Sequence, residues 1–197
     1  MKRTHLLYGR IDQIYKAGIA SDLIDGDWSD VTNDTRHVRA AVLVGEWVGS
    51  NPLPRDLCMK GSEHGEQAAL FCWAAAVANI GISADVNKMY AVPNGGKRDA
   101  KTAAMLKAEG VRVGVPDVCL PKPVVARGDM FELFGESEPK HEMLCGLYIE
   151  MKVVKGGKLS DEQKERIDQL RADGYAAVRC NGWIEARDAI IMYLGLE

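Results

Sequence analysis

The chain reads as an α/β sandwich, a small mixed β-sheet held between helices. Three features predict it. An alanine-rich segment, SEHGEQAALFCWAAAVANIG, suits a long, largely buried helix. Two apolar runs, VGVPDVCL and CGLYIEMKVV, read as strands. The chain then closes with a helix, a strand and a helix: LSDEQKERIDQLRADG, YAAVRC and GWIEARDAIIMYLG. With 197 residues, 47% hydrophobic and 27% charged, there is enough chain for one globular domain with its own core plus an appendage.

In order along the chain, residues 1–60 are expected to form an N-terminal accessory segment. It has helical patterns near Leu6 to Ala17 and Val38 to Trp47, an acidic middle, and a boundary at SNPLPRD, where two prolines interrupt any element. Residues 61–197 hold the main domain. Ser62 is placed to cap the alanine-rich helix, and Gly81 to end it. A short strand over Met89 to Val92 leads into the turn PNGGKR, and DAKTAAMLKAEG gives a second helix closed by Gly110. In the strand CGLYIEMKVV, side chains alternate. Leu147, Ile149, Met151 and Val153 share one face, and Tyr148, Glu150 and Lys152 the other. The insertion between the two strands, Pro121 to Cys145, is expected to be a surface loop. Ser160 opens the next helix and Gly174 ends it.

Charge and cysteine usage exclude several classes. Net charge is −3, so the basic field of a passive nucleic-acid coat is absent. Locally, residues 97–112 hold five basic and two acidic residues, residues 151–158 hold three basic and no acidic ones, and residues 21–35 hold five aspartates. Positive patches beside an acidic centre suit a polyanion held around metal ions, and equally suit solvated lysines. The five cysteines never form CxxC, which predicts reduced, mostly buried thiols and no zinc ribbon. Cys119 and Cys145 are assigned to packing. No apolar run approaches about 18 residues and the start of the chain lacks a secretory pattern, so a cytoplasmic protein without a membrane partner is expected.

The residues that carry chemistry are Asp117, Glu150 and Lys152. Glu150 and Lys152 are two apart on a strand and leave the same face, with the Met151 carbonyl directed to an edge. An edge strand showing its polar side to water would explain that pair, and a turn aspartate would explain Asp117. Together, however, an acid after GVP and an acid on a neighbouring strand can converge on a divalent cation with oxygen ligands. Such a cation acidifies a water and neutralises charge growing on a phosphate, and a compact lysine ammonium completes the set.

Asp117 followed by Glu150-x-Lys152 is the PD-(D/E)xK nuclease pattern. The phrases SEHGEQ, PNGGKR, GVRVGVPDVCLP, GLYIEMK with GGKLSDEQ, and LRADGYAAVRC, over about residues 62–194, resemble one branch of it, the virus-type replication-repair nuclease (VRR-NUC) domain. The resemblance implies a restriction-endonuclease-like sandwich. It implies that Glu63, Asp117 and Glu150, with the Met151 carbonyl, ligate Mg²⁺ or Mn²⁺, that Lys152 is the catalytic lysine, and that Gln67 and Gln163 support the site. It also makes Asn94, Gly95, Gly96, Lys97 and Arg98 a phosphate-contacting loop.

Simpler explanations stand beside these roles. Glu63 and Glu66 sit in a first helical turn, where carboxylates favour the helix dipole. Gln163 completes an S-x-x-Q capping box with Ser160. Asn-Gly is a turn in its own right. His64 is read as local or DNA-proximal, and Trp73 and Trp183 as core. The long N-terminal segment and the 121–145 insertion depart from the compact members of the branch. The implied function is metal-dependent, structure-specific cleavage of branched DNA, Holliday junction or flap, by a homodimer in a bacterial or phage-infected cell. The alternatives are a catalytically silent DNA-binding or assembly factor and, third, a sequence-specific restriction-like nuclease.

Overall fold

The computed structural model describes residues 57–58, 61–79, 81–93, 99–128, 130, 142–155 and 157–196. The expected accessory segment therefore lies outside the described residues except for Leu57 and Cys58, which are helical, and so does the loop Asn94 to Arg98. The first long helix, α1, runs Glu63–Asn79. Its start is set by Ser62, whose Oγ accepts from the Gly65 N–H at 3.1 Å. Gly81, at φ +75°, turns the chain away beyond its end. A single 3₁₀ turn, Asp85–Lys88, precedes β1, Tyr90–Ala91. Helix α2, Ala100–Ala108, is capped by Asp99, whose carboxylate takes the Thr102 N–H at 2.9 Å.

Four strands form the main sheet in the order β1, β2 (Val118–Leu120), β5 (Leu147–Lys152) and β6 (Ala176–Asn181). The first three are antiparallel neighbours and β5–β6 is parallel. A parallel pair needs a crossover, and α3, Asp161–Ala172, supplies it. Ser160 and Gln163 make the expected capping box at its start, and Gly174 at φ +85° ends it. Helix α4, Gly182–Leu194, follows β6 directly and closes on Gly195 in the left-handed region.

The sheet has two different faces because β5 alternates. Leu147, Ile149 and Met151, with Ala176, Val178 and Cys180 of β6, join the apolar core against Leu70, Trp73 and Val77 of α1 and Ile190 and Tyr193 of α4. Trp73 and Trp183 are both buried, as core residues should be. The other face carries Tyr148, Glu150 and Lys152 and is covered beside β6 by α3, under which Ile167 and Ala177 are buried. Helices on both sides of a small mixed sheet make the expected sandwich.

The structure departs from expectation in the insertion and at the cysteines. The insertion is not simply a surface loop: its described parts form an antiparallel ribbon, β3 (Val124–Val125) with β4 (Met143–Leu144), and Met130 is fully buried. The ribbon is tied to α4, where the Arg127 guanidinium donates to the Met192 carbonyl and the Tyr193 hydroxyl donates to the Lys122 carbonyl at 2.7 Å. The thiols are also less buried than expected. All five cysteines are free, but only Cys119 and Cys180 are buried, and Cys145 is exposed, so packing does not account for it. No described helix is long and apolar enough to cross a membrane.

Candidate active site on the polar face of the sheet

Register brings the acids together. Val118 pairs with Ile149, so one residue earlier Asp117 stands beside Glu150 at the mouth of β2 and β5. The Asp117 Oδ2 accepts the Met151 N–H at 2.9 Å, in place of a backbone partner. In a strand, one residue's N–H and C=O project to the same neighbour, so the Met151 carbonyl also faces the Asp117 side. Gly114 fixes how the chain enters this point. It takes φ +81°, and a Cβ there would lie 2.6 Å from the Glu162 carbonyl oxygen of α3.

Glu150 is 1% exposed and Lys152 7%. The Lys152 ammonium lies 2.7 Å from Glu150 Oε1 and 3.5 Å from Glu63 Oε1. Gln163 donates from Nε2 to the same Glu150 oxygen while its Oε1 accepts the Ser160 N–H at 2.9 Å. Capping and site contact are therefore not alternatives for Gln163, because its two amide atoms serve both. Glu150 Oε2 has no hydrogen-bond partner, and among the described residues it is the one buried side-chain polar atom so placed.

The electrostatics follow from this crowding. Burial raises the Glu150 carboxyl, the Lys152 hydrogen bond opposes the rise, and the Asp117 charge adds to it, leaving it at about 7. Asp117 is also raised, first by burial, against the pull of the Met151 N–H and Lys152. Glu150 lowers Asp117 by hydrogen bonding and the Asp117 charge raises Glu150, so Asp117 ionises first and makes the second ionisation harder. Burial alone would depress the Lys152 ammonium, yet the hydrogen bond and charge of Glu150, with Glu63 and Asp117, hold it above its usual value. The lysine stays charged.

The remaining expected site residues divide. Glu63, at the start of α1, has a side chain 52% exposed, and among the described residues its one ion pair at the centre is with Lys152. Gln67 follows one turn later, half-buried, and among the described residues no hydrogen bond links it to the carboxylates. Glu66, the neighbour that could be mistaken for a ligand, is buried for another purpose: its Oε2 accepts the Trp183 N–H at 2.9 Å and so caps α4. His64 is exposed.

Sequence reasoning passed over Arg179. It pairs with Glu150 in β6, is exposed, and donates to the Gly157 carbonyl at 2.5 Å. The signal was available, because an arginine inside the apolar YAAVRC is as conspicuous as Glu150-x-Lys152.

As to a cation, no group of three or more His, Cys, Asp or Glu is gathered closely enough to hold a metal ion among the described residues. The lysine ammonium itself stands between Glu63 and Glu150. The pair Asp117 and Glu150 with the Met151 carbonyl nevertheless has the chemistry of a hard-cation site, with carboxylate and carbonyl oxygens only. The unpartnered Glu150 Oε2 is the specific sign of it.

A sheet that sets an aspartate following proline beside Glu-x-Lys on the next strand defines the PD-(D/E)xK class of nuclease. The family model for the VRR-NUC domain matches residues 63–183, and the chain belongs to that family. A solved structure described as a VRR_NUC domain protein is 24% identical and covers 68% of this chain and 89% of its own, with a TM-score of 0.48. Comparison with curated proteins gave no match.

Proposed function

We propose that the protein is a Mg²⁺- or Mn²⁺-dependent endonuclease that hydrolyses phosphodiester bonds in branched DNA. The observation that carries the reading is the Asp117, Glu150 and Lys152 centre, with its buried, unpartnered Glu150 oxygen. Asp117 Oδ1, Glu150 Oε2 and the Met151 carbonyl would hold the cation, with Glu63 at the rim. When bound, it supplies acidity to a water and positive charge to the phosphate.

The chain's own residues do the rest. The Met151 N–H and Gln163 orient the two carboxylates, so their geometry is set before substrate arrives. Lys152 is held as an ammonium, a point charge that orients the attacking water and stabilises charge on the phosphoryl oxygens as the bond from phosphorus to the leaving oxygen breaks. Asn94 to Arg98 and Gln67 would contact the DNA backbone. Branched DNA and a two-fold dimer rest on the resemblance to small junction-cutting members of the family, since two matched cuts suit a symmetric pair of sites.

The test is cleavage of labelled four-way junction, flap, splayed-arm and duplex DNA with Mg²⁺, Mn²⁺ or EDTA, by wild type and Lys152→Ala. Metal-dependent cutting, lost in the variant with DNA binding retained, is expected. Binding without cutting of any substrate by folded wild type would instead make the protein a silent DNA-binding factor.

A further inference from the structure

We infer that Arg179 is a positioning residue that, through Gly157, holds the Lys152 side chain in its aim at Glu150; the inference rests on the reading of Lys152 as the catalytic lysine. Gly157 lies directly on the lysine stem. A Cβ at that position would be 2.6 Å from Lys152 Cβ, 2.8 Å from its Cδ and 3.0 Å from its Cγ, contacts that only glycine avoids. The backbone of Gly157 is thus a wall packed along the stem that reaches Glu150.

That wall is fastened by Arg179. Its guanidinium donates to the Gly157 carbonyl at 2.5 Å and also to Asn181 Oδ1. Asn181 pairs with Lys152 in the sheet and is itself fixed, its N–H donating to Glu185 Oε2 at 2.7 Å and its Nδ2 to the same oxygen at 3.1 Å. A chain of hydrogen bonds therefore runs from α4 through Asn181 and Arg179 to Gly157, and ends in packing on Lys152.

Both bonds leave the same nitrogen, Nη2, whose two N–H groups are fixed in the guanidinium plane, whereas a lysine ammonium on a flexible stem would carry rotatable donors with no set direction. The strand does not need arginine for its own sake, because the side chain is exposed and lies outside the core. A lysine stem free to sample rotamers loses side-chain entropy when it is fixed. Holding it in advance spares the reaction that cost.

The test labels lysines of the metal-free protein with limiting acetic anhydride and reads each site by peptide mass spectrometry. Lys164, with a 58% exposed side chain, is the internal reference. Wild type should protect Lys152. Arg179→Ala should raise its labelling relative to Lys164 by about fivefold as the local structure opens. Gly157→Ala should do the same by displacing the stem, and Arg179→Lys should fall between.

In single-turnover cleavage, Arg179→Ala should slow the step at least about tenfold from misplacement of the ammonium, with DNA affinity within about twofold of wild type. Lys152 staying protected in both Arg179→Ala and Gly157→Ala overturns the inference. So does raised labelling with an unchanged cleavage rate. Protection retained with weakened DNA binding would make Arg179 a phosphate contact instead. Labelling needs no DNA, so a protein that never cuts still tests the hold on Lys152 separately from the nuclease reading.

Discussion

Replacing Glu150 with glutamine should change how stability depends on pH, and the structure gives both sign and size. The Glu150 carboxyl is raised from 4.5 to about 7, chiefly by burial. A raised carboxyl binds its proton more tightly in the folded state, so its contribution is fully present below about pH 4.5 and is lost as pH rises through about 7. That difference corresponds to roughly 3 kcal/mol. For a chain of this size it amounts to a fall in Tm on the order of 6–12 °C between pH 4.5 and 8 in EDTA. Asp188, raised by burial, acts in the same direction in either protein; Asp117 is raised by burial too, but Glu150 also lowers it by hydrogen bonding, so its share changes in the variant. The lowered surface carboxyls, such as Asp85 and Asp161, act oppositely and at lower pH.

The informative quantity is thus the difference between wild type and Glu150→Gln, read by thermal melts across the range. Glutamine keeps an Oε1 acceptor for Lys152 and Gln163 but cannot ionise. Its melting curve should be flatter, and the gap should open above about pH 5. Parallel Tm profiles would refute the account of a buried, strained carboxylate.

Two further substitutions probe how the site is held. Gly114→Ala forces a β-carbon into φ +81° and to 2.6 Å from the Glu162 carbonyl, and should lower stability by about 3 kcal/mol in urea denaturation, a loss that an unaltered midpoint would contradict. Gln163→Glu keeps the acceptor for the Ser160 N–H, and hence the cap, but sets a second carboxylate against Glu150. The helix content should stay as in wild type while the pH at which Glu150 ionises moves up and cleavage falls by about tenfold or more; equal cleavage would remove Gln163 from the site.

The elements that could be read from sequence were those with local punctuation. Ser62 and Gly81, Asp99 and Gly110, Ser160 and Gly174 mark helix ends through their own backbone chemistry, and the alternation of Leu147 to Lys152 assigns faces residue by residue. The ribbon in the insertion was missed because Val124–Val125 and Met143–Leu144 are too short to show a period, and their pairing spans residues far apart in sequence. The same limit applied to the site. Asp117, Glu150 and Lys152 were legible as a pattern. That Glu66 caps α4 from 117 residues away, or that Arg179 reaches Gly157, depends on packing that no window of sequence contains.

The cost of this centre explains its supports. A sheet face with one buried carboxyl, a second half-buried and a buried ammonium is poor for stability, since each charge has been taken from water wholly or in part and one oxygen has gained nothing in return. The fold offsets this with contacts that also set geometry: the Met151 N–H on Asp117, the Gln163 amide on Glu150, the glycine backbone on the Lys152 stem. Each comes from a different element, β5, α3 and the turn after β5, so the centre is assembled only when the sandwich is closed. A site whose members repel one another in the free protein gains from a bound cation, because positive charge at Glu150 Oε2 removes the repulsion and meets the orphaned oxygen at once. The destabilisation expected above about pH 5 in EDTA and the proposed affinity for a divalent ion would then be two consequences of one arrangement of charge.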